Sequence, residues 1–125
     1  MNGYLLAAGV LAIALGATHS WLGERTVLGP LLRLGNLPEL FGSVAFLRRV
    51  LRMAWHVTTV LLCGLGVLLI ELARAPAGEP DRLVLSALGW TFAACMLLVF
   101  LLTRGRHFAW LVFALITALI GLGTP

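Results

Sequence analysis

Apolar residues run in four long stretches along this chain, and most charged residues fall between them. The stretches cover about residues 4–23, 50–72, 83–103 and 107–122. The first three have roughly the 20 residues that an α-helix needs to cross a hydrocarbon core about 30 Å thick. The fourth is shorter, at the low end of the spanning range. The pattern predicts an all-α fold: an integral membrane four-helix bundle forming a single membrane domain over residues 1–125. The first stretch has no basic segment before it and no small-residue cleavage site after it. It is therefore expected to be a mature helix and not a signal peptide.

Between the first and second stretches, about residues 24–48 follow a different pattern. Gly29-Pro30, Gly35-Asn36, Pro38 and Gly42-Ser43 are breakers. Leu31, Leu32, Leu37, Leu40 and Phe41 make the segment too apolar for a solvated linker. Short helices lying in the membrane interface are the expected form. The remaining connections are brief. Arg74 to Asp81 turns between the second and third helices, and Arg104-Gly105-Arg106 makes a tight turn before the fourth.

Composition supports the membrane reading. Of the 125 residues, 61% are hydrophobic and only 11% charged, whereas soluble domains carry about a quarter charged residues. A soluble fold this small keeps too much surface exposed to hide so many apolar side chains. The net charge of +4 comes with nine basic residues, all Arg, and they sit at the ends of the apolar stretches. They form no stripe on a soluble face, so no nucleic-acid partner is expected. Cys63 and Cys95 lie inside apolar stretches, and no disulfide framework is indicated.

The loops set an orientation. One side carries Arg25, Arg33, Arg48, Arg49, Arg52, Arg104 and Arg106. The other carries Arg74 and Arg82, diluted by Glu71, Glu79 and Asp81. The positive-inside rule places the Arg-rich side in the cytoplasm, with both termini outside, as in a bacterial cytoplasmic membrane. Trp21, Trp55, Trp90 and Trp110 near helix ends fit an aromatic belt.

Helical wheels give the packing faces. Ala8, Ala12, Gly16 and Ser20 share one stripe of the first helix, and Arg52, His56, Thr59, Cys63 and Gly66 one of the second. Ser86, Gly89, Ala93 and Met96 align on the third, and His107, Trp110, Ala114, Thr117 and Gly121 on the fourth. Small residues let membrane helices approach closely, so these stripes are the expected helix contacts. The Leu, Val, Ile and Phe faces are expected to look to lipid. A spare stripe leaves room for a homo-oligomer or a larger membrane complex.

His19, His56 and His107 all fall near the Arg-rich face, with Glu24 at its edge. Ionisable groups in membrane helices usually face the bundle interior and serve a function. Three readings follow. In the first, His19 and His56 are the axial ligands of a haem b, with Arg52 on a propionate. A variant has His19, Glu24, His56 and His107 binding a transition metal. In the second, the histidines relay protons in a small proton-coupled transporter. In the third, the chain is an accessory or anchor subunit of a larger complex. As plain structural groups, Glu24 is expected to pair with Arg25 or Arg49, and His19 and His56 with each other or with Glu24.

The chain length and the opening Met1, Asn2 and Tyr4 are similar to the small multidrug resistance family. That family relies on a membrane-embedded Glu in its first helix. The corresponding residue here is Ala14, and no carboxylate lies deep in any stretch, so the resemblance is set aside.

Overall fold

The computed structural model describes residues 1–75 and 79–124. Among these residues the regular structure is helical, apart from one isolated two-residue bridge. We label four helices: α1 (Gly3–Leu32), α2 (Val44–Arg74), α3 (Glu79–Thr103) and α4 (Ala109–Gly123). Three helices are long and apolar enough to cross a membrane: Gly3–Leu32, Val44–Arg74 and the part of α3 from Arg82 to Leu101. The fourth, α4, has 15 residues and is apolar but shorter. Part of the turn expected over Arg74 to Asp81 lies outside the described residues.

Asn2 starts α1. Its side-chain oxygen accepts from the Tyr4 and Leu5 N–H groups at 3.1 and 3.3 Å, satisfying two donors that a helix start leaves open. Its amide also donates to the Gly123 carbonyl at 2.7 Å, and its backbone N–H to the Ala73 carbonyl at 2.7 Å. One residue thus ties the start of α1 to the ends of α2 and α4. The two ends of the described chain meet at one pole of the bundle, as four alternating helices require.

The expected break after residue 23 does not occur. The chain passes from α-helix into a π-helical turn over Gly23–Leu28 and returns to α-helix over Gly29–Leu32. The Gly29 N–H bonds to the Glu24 carbonyl, five residues back. Such a widened turn accommodates Pro30, which lacks an N–H and crowds the preceding turn of a regular α-helix. Leu28 and Leu32 are buried, so this extension packs on the bundle instead of lying apart. The later breakers act as expected. Gly35-Asn36 turns the chain, and Leu40 and Ser43 exchange backbone hydrogen bonds around Phe41 and Gly42, both at positive φ. Ser43 then caps α2 by accepting from the Phe46 N–H at 3.2 Å. α2 therefore begins at Val44, earlier than the apolar stretch predicts. The expected interfacial segment shrinks to residues 33–43. Leu31 and Phe41 point outward.

α1 packs most closely on α2, α3 packs on α4, and α4 closes against α1. The α1–α2 stripes behave as expected. Ala8, Ala12 and Gly16 are buried. A methyl added at Gly9 would lie 2.6 Å from the Gly66 carbonyl oxygen, and one added at Gly66 would lie 2.8 Å from that of Gly9. The two backbones cross where neither position has a side chain, the close approach that small residues permit.

The stripes of α3 and α4 hold only in part: Gly89 lies against Ile120, and Ala93, Ala114 and Thr117 are half-buried. The buried residues of α3 are Leu85, Leu88 and Phe92, while Ser86 is exposed. On α4 they are Ala109, Ile116, Ile120 and Gly123, while His107 and Gly121 face outward. Phe92, Ile116 and Ile120 join Leu5, Ala8, Ala12, Leu69 and Ala73 in one core. Large side chains fill the space between these helices. The expectation that Leu, Ile and Phe all face outward therefore fails here. Even so, large apolar residues such as Val60, Leu61, Trp90 and Leu101 stand more than half exposed around the outside.

Candidate functional site at the arginine-rich end

Two pairs of residues, each four apart, face one another across the α1–α2 seam. Ser20 and Glu24 come from α1, Arg52 and His56 from α2. Residues at this spacing lie one above the other on a helix face. Antiparallel packing sets Ser20 against His56 and Glu24 against Arg52.

The resulting hydrogen bonds form a continuous chain. The Ser20 hydroxyl and His56 Nδ1 are 2.7 Å apart. His56 Nε2 lies 3.3 Å from Glu24 Oε2. Arg52 grips the same carboxylate with two donors, Nη2 to Oε1 at 2.7 Å and Nε to Oε2 at 3.2 Å. An ionised carboxylate only accepts, so His56 Nε2 carries the proton. In the neutral ring Nδ1 then accepts from Ser20. Protonating the ring reverses only the Ser20 bond and adds an ion pair to Glu24. The geometry accommodates both states of His56.

The pairing corrects two expectations. Glu24 bonds to Arg52, not to Arg25 or Arg49. Arg25 instead lies over the Trp21 ring, 4.8 Å from its centroid. The π-helical turn explains the choice, because Glu24 sits within it, beyond the last regular α turn, and reaches across the seam. The side chains of Glu24, His56 and Arg52 keep 37%, 38% and 51% of their exposure, so the site stands open at the bundle edge.

His19 belongs to a second group. Its ring stacks on Trp55 with centroids 4.5 Å apart and planes within 4°. The Trp55 indole N–H donates to the His19 carbonyl at 3.2 Å. The Thr58 hydroxyl donates to the Trp55 carbonyl at 2.7 Å, which leaves its oxygen to accept from His19 Nε2 at 3.1 Å. The indole lies directly over Gly23, where any side chain would collide with it. His19, Trp55 and Thr58 line a largely apolar cavity of about 610 Å³, with Phe92, Cys95 and His107 also on its wall. His107 accepts from the Ala109 N–H at 3.2 Å and so caps the first turn of α4.

The histidines expected to act together are thus divided. A bis-histidine haem needs a nitrogen from His19 and one from His56 aimed at a shared space. Here both nitrogens of His56 are bonded to Ser20 and Glu24, while His19 is bonded to Thr58 and stacked on Trp55. Arg52 grips Glu24 instead of standing clear for a propionate. This arrangement lends the haem reading no support. Among the described residues, no group of three or more His, Cys, Asp or Glu side chains could hold a metal ion, and the set His19, Glu24, His56 and His107 does not form one.

Ser20, Trp55 and Thr58 carry roles that the sequence reading did not assign. The available signal was the pair of four-residue spacings, 20 to 24 and 52 to 56, on helices that must run antiparallel. A second basic cavity of about 490 Å³ adjoins Glu24 and Arg52. No family model matches the chain, and neither the curated proteins nor the solved structures compared with it provide a match.

Proposed function

We propose that this chain is a small four-span membrane protein whose working centre is the Ser20–His56–Glu24 chain, and that the centre loads and releases a proton in a histidine-based proton relay across the membrane. The membrane placement is supported by three helices of spanning length and apolarity and by the apolar outer surface. The Arg-rich end is assigned to the cytoplasm by the positive-inside rule, and the pole where Asn2 meets Gly123 to the other side.

One observation carries the proton reading: His56 is held at both ring nitrogens, by a hydroxyl that can donate or accept and by a carboxylate. Imidazole is the side chain that ordinarily titrates in the physiological range. Ser20 can reverse its bond as the ring charges, and Glu24 Oε2 lies within reach of the charged ring. Arg52 acts as a positioning residue, since its two-pronged grip fixes the carboxylate beneath the ring. An ion pair this exposed adds little stability, so position is its main effect. The apolar cavity beside His19 has room for a small apolar or weakly polar molecule.

The test uses purified protein in liposomes loaded with a pH-sensitive dye, under an imposed potassium diffusion potential. Wild type is expected to pass protons faster than empty liposomes, and His56→Gln and Glu24→Gln to slow this to the empty rate. His19→Gln should retain most of the flux. Wild-type flux equal to that of empty liposomes overturns the reading.

A further inference from the structure

Four arginines converge on the cavity next to Glu24. Arg25, Arg33, Arg48 and Arg52 line it, with Gly29, Pro30 and Leu32, and Glu24 is the one acidic residue on its wall. We infer that this cavity is a binding site for a phosphate group carried on a larger molecule, at the Arg-rich edge of the bundle.

The π-helical turn and the α-turn that follows carry Arg25 and Arg33 around to the side where α2 presents Arg48 and Arg52. Had the chain broken at Gly29-Pro30, nothing in the sequence would bring these four together. Like charges gathered on one wall repel one another, and a single carboxylate does not offset four guanidiniums. Arg52 is already bonded to that carboxylate through both prongs.

Arg48 is poorly satisfied by the protein itself. Its Nε is shut off from solvent and has no hydrogen-bond partner. Its Nη2 reaches only the Leu34 carbonyl, at a long 3.4 Å. A buried donor without an acceptor costs free energy, and a charged one costs more. An anion in the cavity that Arg48 lines offers acceptors to the guanidinium, whose Nη2 now makes one long bond.

Phosphate fits better than carboxylate. Three guanidiniums remain after Arg52 is committed, and their donors outnumber the two oxygens of a carboxylate. Arginine forks match phosphate oxygens in pairs. A cavity of about 490 Å³ far exceeds a bare ion, so the phosphate arrives with a substituent. Two sources share this chemistry: the headgroup of an anionic phospholipid, and a soluble phosphate ester. The site stands on its own geometry and does not depend on proton transfer at His56.

The experiment is native mass spectrometry of the full chain, delipidated in neutral detergent, with phosphatidylglycerol or phosphatidylcholine added. Calorimetric titration with inorganic phosphate runs beside it. Wild type is expected to retain phosphatidylglycerol over phosphatidylcholine, or to bind inorganic phosphate. Arg33→Gln/Arg48→Gln should weaken that binding by about tenfold or more, the loss expected when charge-assisted hydrogen bonds are removed. Arg104→Gln/Arg106→Gln removes the same charge from the same end outside the cavity and should change little. Arg33→Lys/Arg48→Lys keeps the charge but loses the forks; it should fall between, and it serves if the glutamine variant does not fold. Retention of phosphatidylglycerol without measurable binding of inorganic phosphate identifies a lipid headgroup. Binding of inorganic phosphate without retention of phosphatidylglycerol identifies a soluble phosphate ester. Equal weakening by the two glutamine variants, or no binding of either probe by wild type, overturns the inference.

Discussion

The seam between α1 and α2 has two halves built on the same four-residue spacing of small residues. Toward the pole where the chain ends meet, Gly9 and Gly66 put backbone against backbone, and Leu5, Ala8, Leu69 and Ala73 close around them. Toward the Arg-rich pole, Ser20, Glu24, Arg52 and His56 fill the seam with hydrogen bonds, and Gly23 makes room for an indole. In the first half the space left by a missing side chain is taken by the facing helix. In the second it is taken by a functional side chain. A stripe of small residues therefore signals a close contact without saying what fills it. Removing side chains from the two halves should separate stability from function.

The largest effect is expected at the crossing. In Gly66→Leu, the added side chain has the Gly9 carbonyl and Ile13 in its way. Backbone cannot yield as a flexible side chain does. The loss should reach the upper end of about 1–3 kcal/mol typical of overpacking, or exceed it. Reversible unfolding in mixed micelles measures it. Recovery of wild-type stability would mean that the helices do not cross here. Gly23→Ala should cost less, because the obstructing group is the Trp55 side chain, which can swing away. Its mark is local: the His19–Trp55 stack opens, and the tryptophan emission of the protein shifts.

Ser20→Ala tests the polar half alone. It removes one hydrogen bond at a partly buried position, worth about 0.5–1.5 kcal/mol. The informative readout is the ¹⁵N shift of the His56 ring. With Ser20 gone, Nδ1 loses its fixed partner while Nε2 keeps Glu24, so the tautomer is held from one side only. An unchanged Nδ1 signal breaks the comparison, because the seam would then be polar in composition but not connected.

The four helices were legible because apolar runs of this length allow few other forms. The α1–α2 contact was legible because Ala8, Ala12, Gly16 and Gly66 mark a backbone approach. The α4 stripe was misread because large residues can fill a helix contact as well as small ones: Ile116 and Ile120 are buried and Gly121 is left outside. The continuation of α1 past Gly29-Pro30 was hidden because proline reads as a stop, and only the π-helical turn removes the conflict. That turn also decided the site. Glu24 and His56 could be listed from the sequence, but which arginine met Glu24, and the separation of His19 from His56, depended on a register that composition does not encode.

Thr59 marks the border between the halves, and its substitution should have a small effect with the opposite sign. Other threonines of the bundle return their hydroxyls to their own helix: Thr58 bonds the Trp55 carbonyl, Thr91 that of Ala87, and Thr117 that of Phe113. The Trp55 carbonyl, four residues before Thr59, is the one that Thr58 uses. The Thr59 hydroxyl is shut off from solvent and has no partner. Across the seam its backbone carbonyl faces Gly16, which has no side chain to offer a bond. Burying a hydroxyl unpaired costs about 1–3 kcal/mol, and valine has nearly the same shape without that group. Thr59→Val should therefore raise stability by about 1 kcal/mol, the low end of that cost, in the same micelle assay, with the Nδ1 and Nε2 signals of His56 unmoved. A loss of stability together with a shift at His56 would place Thr59 inside the polar network, and the dry half of the seam would begin one turn closer to Gly66.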